Sequence, residues 1–124
     1  MAIPFLALLL AASPGLTGDW VNNDRTAVVR IAPCGGSLCG RIVRVIARGA
    51  PTTDVNNTDR ALRGRALAGL TVLSGFSPSG DGGRAYNPRS GRTYRATLRS
   101  NADGTLRVTG CVMMICRSQT WTRR

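Results

Sequence analysis

The chain has 124 residues, with 17 arginines, 6 aspartates, no lysine, glutamate or histidine, and a formal net charge of +11. That length suits one domain rather than two. The missing histidine excludes every His-based triad, general base and metal site, while the charge favours anionic partners such as lipid headgroups, polysaccharide or nucleic acid.

The first twelve residues, Met1 to Ala12, carry no charged side chain and precede the small-residue patch Ser13-Pro14-Gly15. The run is too short to span a bilayer, which takes about 20 apolar residues. It fits the apolar core of a secretory signal, although the basic stretch that usually opens one is missing. Residues 1–15 are therefore expected to be a signal peptide. Residues 16–124 are expected to form a single domain in the periplasm or secreted. The competing reading is a buried N-terminal helix or strand.

Beyond the leader, the pattern predicts strands. Thr26 to Ala32 is β-branched and partly alternating, and Gly40 to Ile46 follows a break at Gly35-Gly36. Asp54 to Leu70 resists a strand assignment. It reads as a long loop or a single helical turn near residues 59–64, with Gly64 opposing a longer helix. Leu70 to Phe76 is a short apolar run, and Gly80-Asp81-Gly82-Gly83 reads as a hairpin turn. Arg92 to Arg99 places Tyr94, Ala96 and Leu98 on one face and Arg95, Thr97 and Arg99 on the other. Thr105 to Thr109 and Arg117 to Arg123 complete the set. Short strands punctuated by Gly, Pro, Asn and Asp indicate an all-β antiparallel sandwich or barrel.

Cys34 and Cys39 share one spacing with Cys111 and Cys116. In an exported chain four cysteines read as two disulfides. Each pair flanks a short loop between predicted strands. Residues opposite one another in an antiparallel pair lie about 4.5 to 5.5 Å apart at Cα, inside the disulfide window. Local pairing, Cys34 with Cys39 and Cys111 with Cys116, is the preferred reading, and cross-linked pairing stays open. A four-thiolate zinc site and a redox pair are the competing readings, disfavoured by the spacing and the oxidising compartment.

No catalytic constellation is visible, and no cofactor, metal or sequence-specific nucleic-acid site is expected. Asp54 to Asp59 looks briefly like a calcium loop. It lacks glycine at the sixth position and has Arg65 at the twelfth, so an Asx-turn loop is the better reading. The Gly80 to Gly83 run lacks the helix and lysine of a phosphate cradle. Tyr86 and Tyr94, near Arg84, Arg92 and Arg95, suit either ligand binding or barrel packing.

Several segments, in order, resemble one bacterial exported family, the lipocalin-like domain of unknown function 2147. They are Gly18-Asp19-Trp20; Cys39 to Val43; Asp54 to Asn57; Leu62 to Arg65; Gly82 to Pro88 with Gly91 and Tyr94; and Gly110 to Cys116 with Ser118 to Arg123. The resemblance implies a small antiparallel up-and-down β-barrel. It also implies a pairing in which Trp20, after Gly18, lies under Arg123 or, second in preference, Arg117. That contact would be structural. A chain this short would have a small cavity or one filled by side chains.

In such a barrel both cysteine loops are expected at the end opposite Trp20, Trp121 and Arg123. There the apolar loop Val112-Met113-Met114-Ile115 either borders a ligand mouth or partner surface, or folds inward as a plug. The implied role is an exported, non-enzymatic binding protein holding a small apolar or amphipathic ligand such as a fatty acid. The alternative is a basic module whose surface arginines engage an anionic envelope lipid or glycan. Nothing in the sequence sets an oligomeric state.

Overall fold

β-Branched and aromatic residues on alternating positions need a partner strand on each side and one buried face. A computed structural model, describing residues 15–124, shows how this chain supplies both. Eight antiparallel strands close into a barrel. They are β1 (Gly18–Val21), β2 (Ala27–Cys34), β3 (Ser37–Val45), β4 (Thr71–Phe76), β5 (Gly83–Asn87), β6 (Arg92–Ser100), β7 (Leu106–Val112) and β8 (Ile115–Arg123). β1 pairs with β2 on one side and β8 on the other, so no edge is left between first and last strand. The all-β antiparallel class is the one the strand pattern predicts, and the closed up-and-down barrel is the one the family resemblance implies. The signal peptide expected over residues 1–15 falls, apart from Gly15, outside the described residues.

On β6 the sequence pattern translates directly. Ala96 and Leu98 are buried, Tyr94 is half-buried, and Arg95 and Arg99 are exposed. The 46–70 connection folds as a loop with one 3-10 turn, Arg60–Leu62, where the sequence allows a helical turn. Asp59 caps it by accepting from the Ala61 amide at 3.0 Å.

Two expectations are corrected. The cysteine hairpins lie at opposite ends of the barrel. The β2–β3 hairpin with Cys34 and Cys39 shares the end of Gly18 and Arg123, and the β7–β8 hairpin with Cys111 and Cys116 lies at the other. The cause is β5, which the sequence reading passed over. Gly83-Arg84-Ala85-Tyr86-Asn87 has no β-branched residue and begins in a glycine turn, yet it pairs with β4 and β6. With it, five strands, β3 to β7, separate the two cysteine hairpins, and an odd number puts them at opposite ends. The Cys111–Cys116 hairpin lies opposite Gly18 and Arg123 as expected, and the Cys34–Cys39 hairpin, returned to the Gly18 end by β2, does not.

The second correction concerns register. Both disulfides are local, Cys34–Cys39 and Cys111–Cys116. Cys111 faces Cys116 directly, with Cα atoms 4.1 Å apart. Cys34 faces Ser37, so its bond to Cys39 is diagonal and the Cα atoms are 5.9 Å apart. The turn sits on Gly35-Gly36, off the centre of the six-residue segment, because both glycines take positive φ.

The core is concentrated at the Gly18 end. Phe76, Leu98 and Leu106 have no exposed surface there, with Trp20 and Ile31 nearly as buried. Gly83 makes room for this packing, since a Cβ on it would strike the Phe76 ring. One end of the barrel is thereby sealed with side chains.

Candidate ligand cavity

The sealed end is finished by a lock between the first and last strands. Trp20 pairs with Arg123 in the β1–β8 ladder. The Arg123 guanidinium lies 4.0 Å from the Trp20 ring centroid. It donates to the carbonyls of Thr17 at 2.6 Å and Gly15 at 3.1 Å. The buried Trp20 indole donates to the Leu16 carbonyl at 2.9 Å. The partner is thus Arg123, the first of the two arginines the resemblance offers, and Arg117 is left for something else.

The other half of the barrel is hollow. A cavity of about 770 Å³ runs from inward side chains such as Val29, Ile42, Leu73, Val108 and Trp121 to the loops of the open end. That volume lies in the usual range for small-molecule sites, about 300 to 1,000 Å³. The walls are mostly apolar. Charged residues in the lining are three: Asp24, Arg89 and Arg117. Asp24 and Arg89 neutralise each other at 3.0 Å across the mouth. Arg117 shares the inward face of β8 with Gln119 and Trp121, and no ion-pair partner faces it among the described residues. Opposite it in the ladder is Gly110, which adds no side chain to the wall. Arg117 is exposed, so the open mouth of the cavity carries one positive charge without an ion-pair partner.

The long β3–β4 loop forms one side of the mouth and is held by a buried carboxylate. The Asp54 side chain is fully buried and accepts from Tyr86 Oη at 2.7 Å, Asn57 Nδ2 at 2.8 Å and Arg65 Nε at 3.0 Å. Burial pushes its carboxyl up. The hydrogen bonds from Asn57, Tyr86 and Arg65, with the Arg65 charge, outweigh this and hold it below the usual carboxylate value. Burial, and then the bond to Asp54, push the Tyr86 phenol up. Arg65 also lies 5.7 Å from the Tyr86 ring centroid. Asp54 is thus a strut with its acceptors filled, as the Asx-turn reading of this loop requires, and Asn57 and Asp59 supply those turns.

The sequence-derived candidates fall into two groups. Tyr86, Tyr94, Val112 and Ile115 line the cavity. Met113 and Met114 do not; they project from the hairpin tip, 85% and 96% exposed. The apolar loop borders the mouth and does not plug it. Arg84, Arg92 and Arg95 are exposed on the outside and take no part in the lining. The residues missed were Asp54 and Arg117. Period-2 alternation from Trp121 points to Arg117 as inward-facing, but an arginine on that face was not expected.

The sequence profile of the DUF2147 family, described as an uncharacterized protein conserved in bacteria, matches residues 18–123. No curated protein matches the chain. Among solved structures, the fold is similar to protein HP1028 of the human pathogen Helicobacter pylori, which is described as belonging to the lipocalin family. The TM-score is 0.76 at 23% sequence identity, covering 88% of this chain and 82% of that one. At that identity the likeness is one of fold.

Proposed function

We propose, for a chain that belongs to the bacterial DUF2147 family, that the open half of the barrel binds one small amphipathic ligand with a single anionic head, such as a fatty acid. The observation that carries this reading is the apolar-walled cavity with one unpaired cation, Arg117. An apolar tail gains from leaving water roughly in proportion to its buried area. A carboxylate at Arg117 gains charge-assisted, bidentate hydrogen bonds. The role is binding rather than catalysis, which accords with a chain lacking histidine and glutamate. Periplasmic or secreted placement accords with the two disulfides, which suit an oxidising compartment, and with the apolar leader.

Calorimetric titration with palmitate and with hexadecanol tests this. Palmitate should bind more tightly than the alcohol. Arg117→Gln should weaken palmitate by about 10-fold or more and leave the alcohol within about threefold, since a hydrogen bond to a charged group contributes about 1.5 to 3 kcal/mol. Absence of binding by either compound removes the cavity reading. Equal losses for both remove Arg117 as the headgroup contact.

A further inference from the structure

We propose that the open end docks on an anionic bilayer surface, with the Met113-Met114 tip inserted among the lipids. Val112, Met113, Met114 and Ile115 are 53%, 85%, 96% and 71% exposed, although the other short turns of the barrel are built from polar or small residues; Val55 and Leu62 of the β3–β4 loop are exposed at the same end. A contiguous apolar tip of this kind marks an interaction site. The tip is also held in place. The Cys111–Cys116 bond closes the hairpin directly beneath it. Arg95, on the neighbouring strand, reaches the Met113 carbonyl at 3.4 Å.

The backbone argues that the side chains matter. Met113 sits at φ +56, a left-handed conformation that suits glycine. The other disulfide-closed hairpin places Gly35 and Gly36 at its turn. Methionine at the open-end turn is thus an expensive choice locally, and it presents two flexible apolar side chains to the outside.

Charge selects the kind of surface. The loops at the open end, residues 22–26, 46–70, 88–91 and 113–114, carry Arg25, Arg48, Arg60, Arg63, Arg65 and Arg89 against Asp24, Asp54 and Asp59. The loops at the sealed end, residues 35–36, 77–82 and 101–105, carry Asp81 and Asp103 and no arginine. Arg99, paired with Asp81, and the terminal Arg123 and Arg124 lie on the strands and terminus of that end, leaving it less positive than the open end. The molecule is electrically polar along the barrel axis, and its positive pole is the end with the apolar tip. A basic surface around inserted apolar side chains is the arrangement that holds peripheral proteins on anionic lipid, with each arginine near the surface adding to the attraction. Docked this way, the cavity mouth faces the lipid. The docking surface itself does not depend on the cavity being filled.

Vesicle co-sedimentation of the mature protein tests this with phosphatidylcholine vesicles and with vesicles containing 30% phosphatidylglycerol. The wild type should partition at least about 10-fold more strongly onto the anionic vesicles, and should retain part of that binding at high salt because insertion is unscreened. Met113→Ser/Met114→Ser should lose about 10-fold or more, and Met113→Leu/Met114→Leu should keep it. Wild-type partition by the serine variant, or no partition by the wild type, overturns the proposal. So does a methionine-dependent dimer that ignores vesicles. Palmitate titration of the serine variant without vesicles separates the two readings, because neither methionine lines the cavity.

Discussion

Gly18 matters through the side chain it lacks. It sits at φ +120, and a Cβ there would lie 2.5 Å from Arg123 Nη1. The glycine admits the guanidinium, the guanidinium covers Trp20, and two backbone carbonyls hold it there. Removing Arg123 takes away a cation–π contact and both hydrogen bonds. Arg123→Ala should lower stability by about 2 kcal/mol, measured by urea unfolding. Arg123→Lys should recover only part, since an ammonium cannot present the same planar fork. Full recovery by lysine would show that charge alone is needed. Gly18, Trp20 and Arg123 were legible through the family resemblance, and the ladder that pairs Trp20 with Arg123 brings the two ends of the barrel sheet together. Arg117 was not. Its role rests on Asp24 satisfying Arg89, a contact between residues 65 apart in sequence.

At the scale of one element, the β3–β4 loop behaves as a lid frame pinned by Asp54. Its folded carboxyl titrates below the usual value, so the folded state binds fewer protons than the unfolded state there. The resulting stability is present above the unfolded value of about 3.9. It is lost as pH falls through the lower, folded value. Amide exchange across residues 54–67 should therefore rise in acid while the β6–β7 ladder stays protected. Asp54→Asn should loosen the loop at neutral pH, by about 2 kcal/mol, and abolish its acid dependence. A loop equally protected on both sides of the transition would show that Asp54 is not its anchor. The sequence showed the acids and asparagines of this loop. It did not show Tyr86, 32 residues away, whose hydroxyl completes the cluster.

At the scale of the molecule, the barrel has a packed, acidic-looped end and a hollow, basic-looped end, each stapled by one disulfide. A link closing so short a loop contributes about 2 kcal/mol in the chain-entropy model. Because the two bonds are at opposite ends and share no partner, their losses should be independent. Replacing Cys34 and Cys39 by alanine, Cys111 and Cys116 by alanine, or all four should give urea-unfolding losses that add within about 0.5 kcal/mol. A larger coupling would mean that the barrel transmits strain from end to end. Palmitate affinity should respond to the Cys111–Cys116 pair far more than to the other, since only that hairpin borders the cavity.

By itself the sequence determined an all-β antiparallel class and favoured local disulfide pairing, while its family resemblance pointed to the up-and-down barrel and to the contact of Trp20 with Arg123. The class and the pairing follow from alternation and short spacing, which are local. Tertiary structure decided which end each hairpin occupies, because that depends on the parity of strands and one weakly patterned strand, Gly83–Asn87, reverses it. It also decided that the upper half is hollow and that Arg117 is its unpaired charge. Cavity volume and charge compensation are sums over residues from the whole chain, and no window of the sequence contains them.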